Sequence, residues 1–204
     1  MKRVIIASNN AHKVDEIEHA LNFPGWEFQT LREAGIESDP VEDGETFEAN
    51  ARIKAQAARE AAGGACAVLA DDSGLEVDAL GGAPGVYSSR YAGEDGNDAA
   101  NNAKLFRELA DVSDEQRTAR FVCTLVFIDE DGTETVARGT VEGHIGHELR
   151  GENGFGYDPL FLLKELGLRT AELSPEEKNR ISHRGKALRK LVEELKAQEA
   201  PAAE

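Results

Sequence analysis

The stretch ACAVLADDSG, Ala65 to Gly74, carries the reading of the fold. Its first six residues are an unbroken apolar run, bounded by Gly63-Gly64 before and by acids after. A short run of this kind between turn signals reads as a strand buried on both faces, as in the interior of an α/β sheet. It ends on two adjacent aspartates, Asp71 and Asp72. Acidic pairs normally sit on solvated surface. One placed at the mouth of a buried segment, with glycines following, asks for a chemical explanation.

Outward from that strand, helical and extended patterns alternate. Upstream, ETFEANARIKAQAAREAAGG (45–64) reads as a helix stopped by its two glycines. Val4 to Ala7 reads as a short buried strand. It leads through SNNAHK (8–13) into a helix where Val14, Ile17 and Leu21 recur at helical spacing. Downstream, Asp98 to Ala110 suggests a helix. The run from Ala119 to Ile145 suggests two strands joined at the hairpin signal Asp131-Gly132. Ser174-Pro175-Glu176-Glu177 has a cap serine, proline at the first helical position and Glu at the third. The last helix carries Leu188, Leu191, Val192 and Leu195 on one face. The pattern predicts an α/β fold with a mixed sheet.

Composition narrows the function classes. The chain has 204 residues, 23 Lys and Arg against 39 Asp and Glu, and a net charge of −16. That charge argues against a nucleic-acid binder and against an anionic membrane surface, both of which attract basic faces. Neither of the two cysteines, Cys66 and Cys123, lies in a metal-binding spacing, and both read as reduced, buried fillers. The apolar run at the start is too short for a signal peptide, and no stretch approaches a membrane span. A cytoplasmic protein is expected. Residues 1–196 read as one domain, followed by a flexible acidic tail over 197–204.

Several stretches carry candidate chemistry. In SNNAHK a strand hands over to a helix, whose free N–H groups and dipole attract phosphate. Lys13 sits in the first turn, and Asn10 can hydrogen-bond there. This is neither a P-loop nor a dinucleotide fingerprint. Asn50 and Lys54 are four apart and share a helix face. Asp71 and Asp72 can hold Mg²⁺, a hard cation that takes carboxylate oxygens. Two like charges in a dry site repel, which raises one pKa, and a divalent cation relieves the repulsion. Glu42 or Asp43 could complete such a site. In GENGFGYDP (151–159), Phe155 and Tyr157 offer flat faces on which a base could stack. Lys178, His183 and Arg184 supply positive charge. Basic groups for phosphates, acids for a metal and an aromatic for a base outline a nucleoside triphosphate pocket.

With these motifs in order, SNNAHK, TFEANARIKA, LADDSGLEVDALGGAPGVYSSRYAG, GFGYDP and SPEEKNRISHRGKAL, the chain resembles the non-canonical purine nucleoside triphosphate pyrophosphatases, the HAM1-like inosine/xanthosine triphosphatase family. The resemblance spans roughly residues 3 to 196. It implies an elongated central mixed sheet with flanking helices, forming two lobes around an active-site cleft, and a homodimer. It also implies Mg²⁺-dependent cleavage between the α and β phosphates of ITP, dITP or XTP, giving a monophosphate and pyrophosphate. Carried over by position, Ser8, Asn10 and Lys13 match the phosphate-contacting motif, with Asn9 where the family has Gly. Asn50 and Lys54 match the polar face of the second helix, and Ser73 a substrate contact. Asp72 matches the general base and metal ligand. Phe155, Gly156, Tyr157, Asp158, Lys178, His183 and Arg184 match the base-and-phosphate pocket. The chain reads VEDG where many members read EETG, which leaves Glu42 or Asp43 as the second metal ligand, with Glu42 preferred. Arg184 carries only donors and, aimed at purine position six, would favour a carbonyl over the adenine amino group.

Overall fold

The computed structural model describes residues 1–20, 25–64 and 66–199. Leu21, expected on the first helix face, lies outside them. The strands form one mixed sheet in the order β2-β1-β3-β4-β5-β6-β7. The chain divides into two compact units. The first is Met1–Asp72, Cys123–Gly139 and Arg184–Glu204; the second is Ser73–Val122 and Thr140–His183.

In the first unit, β1 (Lys2–Ala7) lies between β2 (Trp26–Thr30) and β3 (Ala67–Val77), parallel to both. Val4 pairs with Phe28 on one side and Ala67 on the other. Parallel strands need crossover helices, so both faces become covered and the strand reads as a continuous apolar run. One face packs on α1 (Ala11–Ala20) and α5 (His183–Glu199): Val4, Ile6 and Leu69 meet Val14, Ile17, Leu188, Leu191 and Leu195. The other face packs on α2 (Phe47–Ala61), whose buried stripe is Ala51, Ala55 and Ala58 against Ile5, Val68 and Ala70. Asn10 caps α1, its Oδ1 accepting from Lys13 N at 3.1 Å. Thr46 caps α2 by accepting from Ala49 N at 3.1 Å. Gly63 and Gly64 follow that helix with φ of +77° and +76°.

Two sequence expectations change here. β3 does not stop at Ala70; it runs through both aspartates to Val77. The tail expected to be flexible from residue 197 is still helical to Glu199, and 200–204 lie outside the described residues.

The second unit holds α3 (Asp98–Glu108), α4 (Pro175–Ile181), β6 (Phe161–Leu163) and β7 (Leu168–Arg169). It also holds parts of β3, β4 (Thr118–Ile128) and β5 (Glu134–Ile145). Its core is Leu75, Val77, Leu105, Phe121, Val141, Phe161 and Leu173 with their neighbours. Ser174 forms the expected capping box with Glu177. Strands β2, β6 and β7 carry no sequence signal strong enough to be read in advance. They are five, three and two residues long.

Gly143 of β5 lets the Phe161 ring lie against the backbone. A Cβ there would come within 2.6 Å of that ring and 2.7 Å of Leu162 O. Gly143→Ala should therefore cost about 1–3 kcal/mol by overpacking, read as a lowered urea midpoint at unchanged m-value. No helix among the described residues is long and apolar enough to cross a membrane.

Candidate active site

Because β3 continues through the acidic pair, the pleat sends Asp71 and Asp72 to opposite faces of the sheet. Both are buried, at 1% and 6% exposure. Each meets a different set of partners, and that difference separates their chemistry.

Asp71 shares the α1/α5 face with Leu69. Arg184 Nε donates to its Oδ2 at 3.0 Å, and Arg184 Nη2 lies 3.4 Å from its Oδ1. Lys13 Nζ is 3.0 Å from Oδ1, and the Cys123 thiol donates to Oδ2 at 3.0 Å. Glu16 takes the Nη1 side of Arg184. Burial pushes the Asp71 carboxyl up, but Arg184 and Lys13, with the hydrogen bonds from Arg184 and Cys123, outweigh it and hold the group well below the usual range. Asp71 is a fixed anion.

Asp72 shares the α2 face with Ala70. Lys54 Nζ donates to its Oδ1 at 2.8 Å and to Glu42 Oε2 at 3.0 Å. Burial raises the Asp72 carboxyl, and Lys54 and Lys13 only partly pull it back, while Glu42 adds to the rise. Lys54 loses to burial but gains more from Asp72 and Glu42, so it is held charged. Adjacent carboxyls driven in opposite directions are the arrangement that divides a structural anion from an acid–base group.

Asp72 Oδ2 is buried and has no hydrogen-bond partner among the described residues. A desolvated carboxylate oxygen left in this way favours a cation or a reacting proton. Glu42 is half-buried beside it through Lys54, whereas Asp43 is exposed, so the structure favours Glu42 as the companion acid. No group of three His, Cys, Asp or Glu among the described residues is arranged to hold a metal. Two carboxylates fit Mg²⁺ all the same, since it keeps several waters and takes substrate phosphates as ligands. Asn50 supports this edge. Its Oδ1 accepts from Gly44 N at 2.8 Å, and a Cβ on Gly44 would lie 2.6 Å from that oxygen. Ser8 Oγ accepts from Asn10 N at 3.2 Å, ordering the turn that presents Lys13.

In the second unit, Asp158 organises the glycine-rich loop. Its Oδ2 accepts from Phe155 N at 2.9 Å and from Lys178 Nζ at 2.6 Å, and its Oδ1 from Thr170 Oγ1 at 2.9 Å. Lys178 Nζ lies 5.1 Å from the Phe155 ring centroid, within cation–π range. Gly156, at φ +62°, adopts a conformation that favours glycine. Ser73 is half-buried on β3. His183 is 6% exposed and stacks on Phe121, with centroids 4.9 Å apart.

Three expectations are corrected. Arg184 does not present its guanidinium to a purine; it is 1% exposed and committed to Asp71 and Glu16. Tyr157 does not offer an open face, because its ring is in the core and its hydroxyl donates to Ser88 O at 2.8 Å. The positive charges of Lys178 and Arg184 are not bare, since each is paired with its own aspartate. Cys123 is a reduced, buried filler as expected and also donates to Asp71, whereas Glu16 carries no motif that singled it out. Glu16 follows Lys13 by three residues on one helix face, a spacing that could have exposed it.

The family model of the Ham1 family matches residues 4–194. A dITP/XTP pyrophosphatase of Clostridium perfringens is 50% identical over 200 residues, covering 96% of this chain and 98% of its own. One from Bacillus subtilis is 50% identical over 198 residues, covering 97% and 98%. Among solved structures, a HAM1 protein from Coxiella burnetii superposes with a TM-score of 0.86 at 41% identity, over 97% of this chain and 100% of that one. The chain therefore belongs to the Ham1 family.

Proposed function

We propose that this protein hydrolyses non-canonical purine nucleoside triphosphates, such as dITP and XTP, between the α and β phosphates, releasing pyrophosphate. The observation that carries the reading is the buried, partnerless Oδ2 of Asp72 beside Lys54 and Glu42. The names of the relatives support the substrate class.

Asp72 and Glu42 would hold Mg²⁺, which supplies charge neutralisation on the triphosphate. Asp72 accepts the proton of the attacking water, a task suited to a carboxylate raised above its usual range. Lys13 and Lys54 stand beside the acids and stabilise charge developing on phosphate oxygens. A net charge of −16 does not prevent this, because the lysines are local. Phe155, half-buried in the glycine-rich loop, offers the base a face on which to stack. With Arg184 buried on Asp71, base selection falls to this loop.

The test is product analysis with Mg²⁺ across dITP, XTP, dATP, dGTP and dCTP. Pyrophosphate should appear from dITP and XTP at a kcat/KM about 10²-fold or more above dATP. Orthophosphate as product, or equal rates for dATP, would overturn the proposal.

A further inference from the structure

We infer that Asp98 and Asn102, one turn apart on α3, are positioning residues for the base, because together they grip both ends of Gly156. Asp98 Oδ2 accepts from Gly156 N at 2.7 Å. Asn102 Nδ2 donates to Gly156 O at 2.9 Å. Residues four apart on a helix face the same way, so one helix face holds the N–H and the C=O of a single residue.

The grip acts on the residue that needs it. Gly156 sits at φ +62°, where backbone freedom is greatest. Its neighbour Phe155 is the half-buried ring of the loop, already tied at its own N–H by Asp158. Fixing Gly156 fixes the backbone that carries that ring before a ligand arrives, which lowers the ordering cost of binding. Asn102 is 7% exposed, and its carbonyl oxygen has no partner among the described residues. A buried amide oxygen without a partner carries a desolvation cost, which the bond from Nδ2 to Gly156 O offsets. The need of Gly156 O for a donor sets the orientation of the amide.

This inference rests on the proposed function, and its test separates the two. Asn102→Asp keeps the size and removes the donor; Asp98→Asn keeps an acceptor oxygen and removes the charge; Asp98→Ala removes both. For dITP, Asn102→Asp and Asp98→Ala should raise KM about tenfold with kcat within about twofold. Asp98→Asn should restore KM. For a deoxyribose triphosphate lacking the base, the same variants should leave KM unchanged. A merely structural role would lower turnover on both substrates alike, and that result, or an unchanged KM for dITP, overturns the inference. Amide exchange at Gly156 gives a readout independent of turnover. It should quicken about tenfold in Asp98→Ala and return in Asp98→Asn. Exchange that fails to respond overturns the grip itself, whereas a responsive amide in a protein that releases no pyrophosphate from dITP overturns the proposed function instead.

Discussion

Asp72→Asn is expected to lower turnover of dITP by about 10³-fold while leaving the protein folded. The amide keeps the size of the side chain and one oxygen for Lys54, but it takes no proton and holds a divalent cation poorly. Stability at neutral pH should change little, because the amide is spared the burial cost of the carboxylate but leaves the buried Lys54 with less opposite charge beside it. Asp72 is raised in the folded state by burial, despite Lys54 and Lys13. A raised carboxyl costs stability as pH climbs from its unfolded value, about 3.9, through its folded one. The amide has no such cost. In the wild type, kcat/KM should climb as pH rises through the folded value, since the base must be ionised. That limb should vanish in the variant. Stopped-flow pyrophosphate release across pH, with denaturation midpoints measured in parallel, checks both halves.

The neighbouring substitution should behave in the opposite way. Asp71→Ala is expected to cost about 3–5 kcal/mol of stability, because it takes the buried carboxylate away from the buried guanidinium of Arg184. It also releases Lys13, so activity should fall as well, but through a disturbed fold. The pH dependence again follows from the direction. Asp71 is held well below the usual range by Arg184 and Lys13, which outweigh its burial. Its contribution is fully present above the unfolded value near 3.9 and is lost as pH falls through the folded one. Urea unfolding at pH 7 and at decreasing pH should show a wild type that weakens in acid and a variant already weak at neutrality. A loss under about 1 kcal/mol would show that the ion pair is not desolvated as described.

Much of this was legible in the sequence, for identifiable reasons. The unbroken apolar runs of β1 and β3 gave the buried parallel strands, and Ser174 with Glu177 gave the start of α4. Lys13, Lys54, Glu42 and Asp72 follow from motif order; in the first unit Lys54 joins Glu42 to Asp72, and Lys13 meets the neighbouring Asp71. What could not be read was partnership across long separations. Arg184 meets Asp71 from 113 residues away, and no local pattern records that contact. A donor-only side chain suits a carbonyl and a carboxylate equally well, so its chemistry alone pointed to the wrong partner. Tyr157 misled in the same way, since a ring beside a glycine looks exposed until the core around it is known. The acidic pair reads as the end of the strand because serine and glycine follow it. The continuing strand is what separates the two aspartates onto opposite faces.

The most direct test is anomalous diffraction from crystals soaked with Mn²⁺, in place of Mg²⁺, and a non-hydrolysable dITP analogue. A single strong metal peak is expected within bonding distance of Asp72 Oδ2 and the Glu42 carboxylate, with the triphosphate attached to it. A nucleotide bound with its metal elsewhere, and Asp72 Oδ2 still without a ligand, would contradict this metal site.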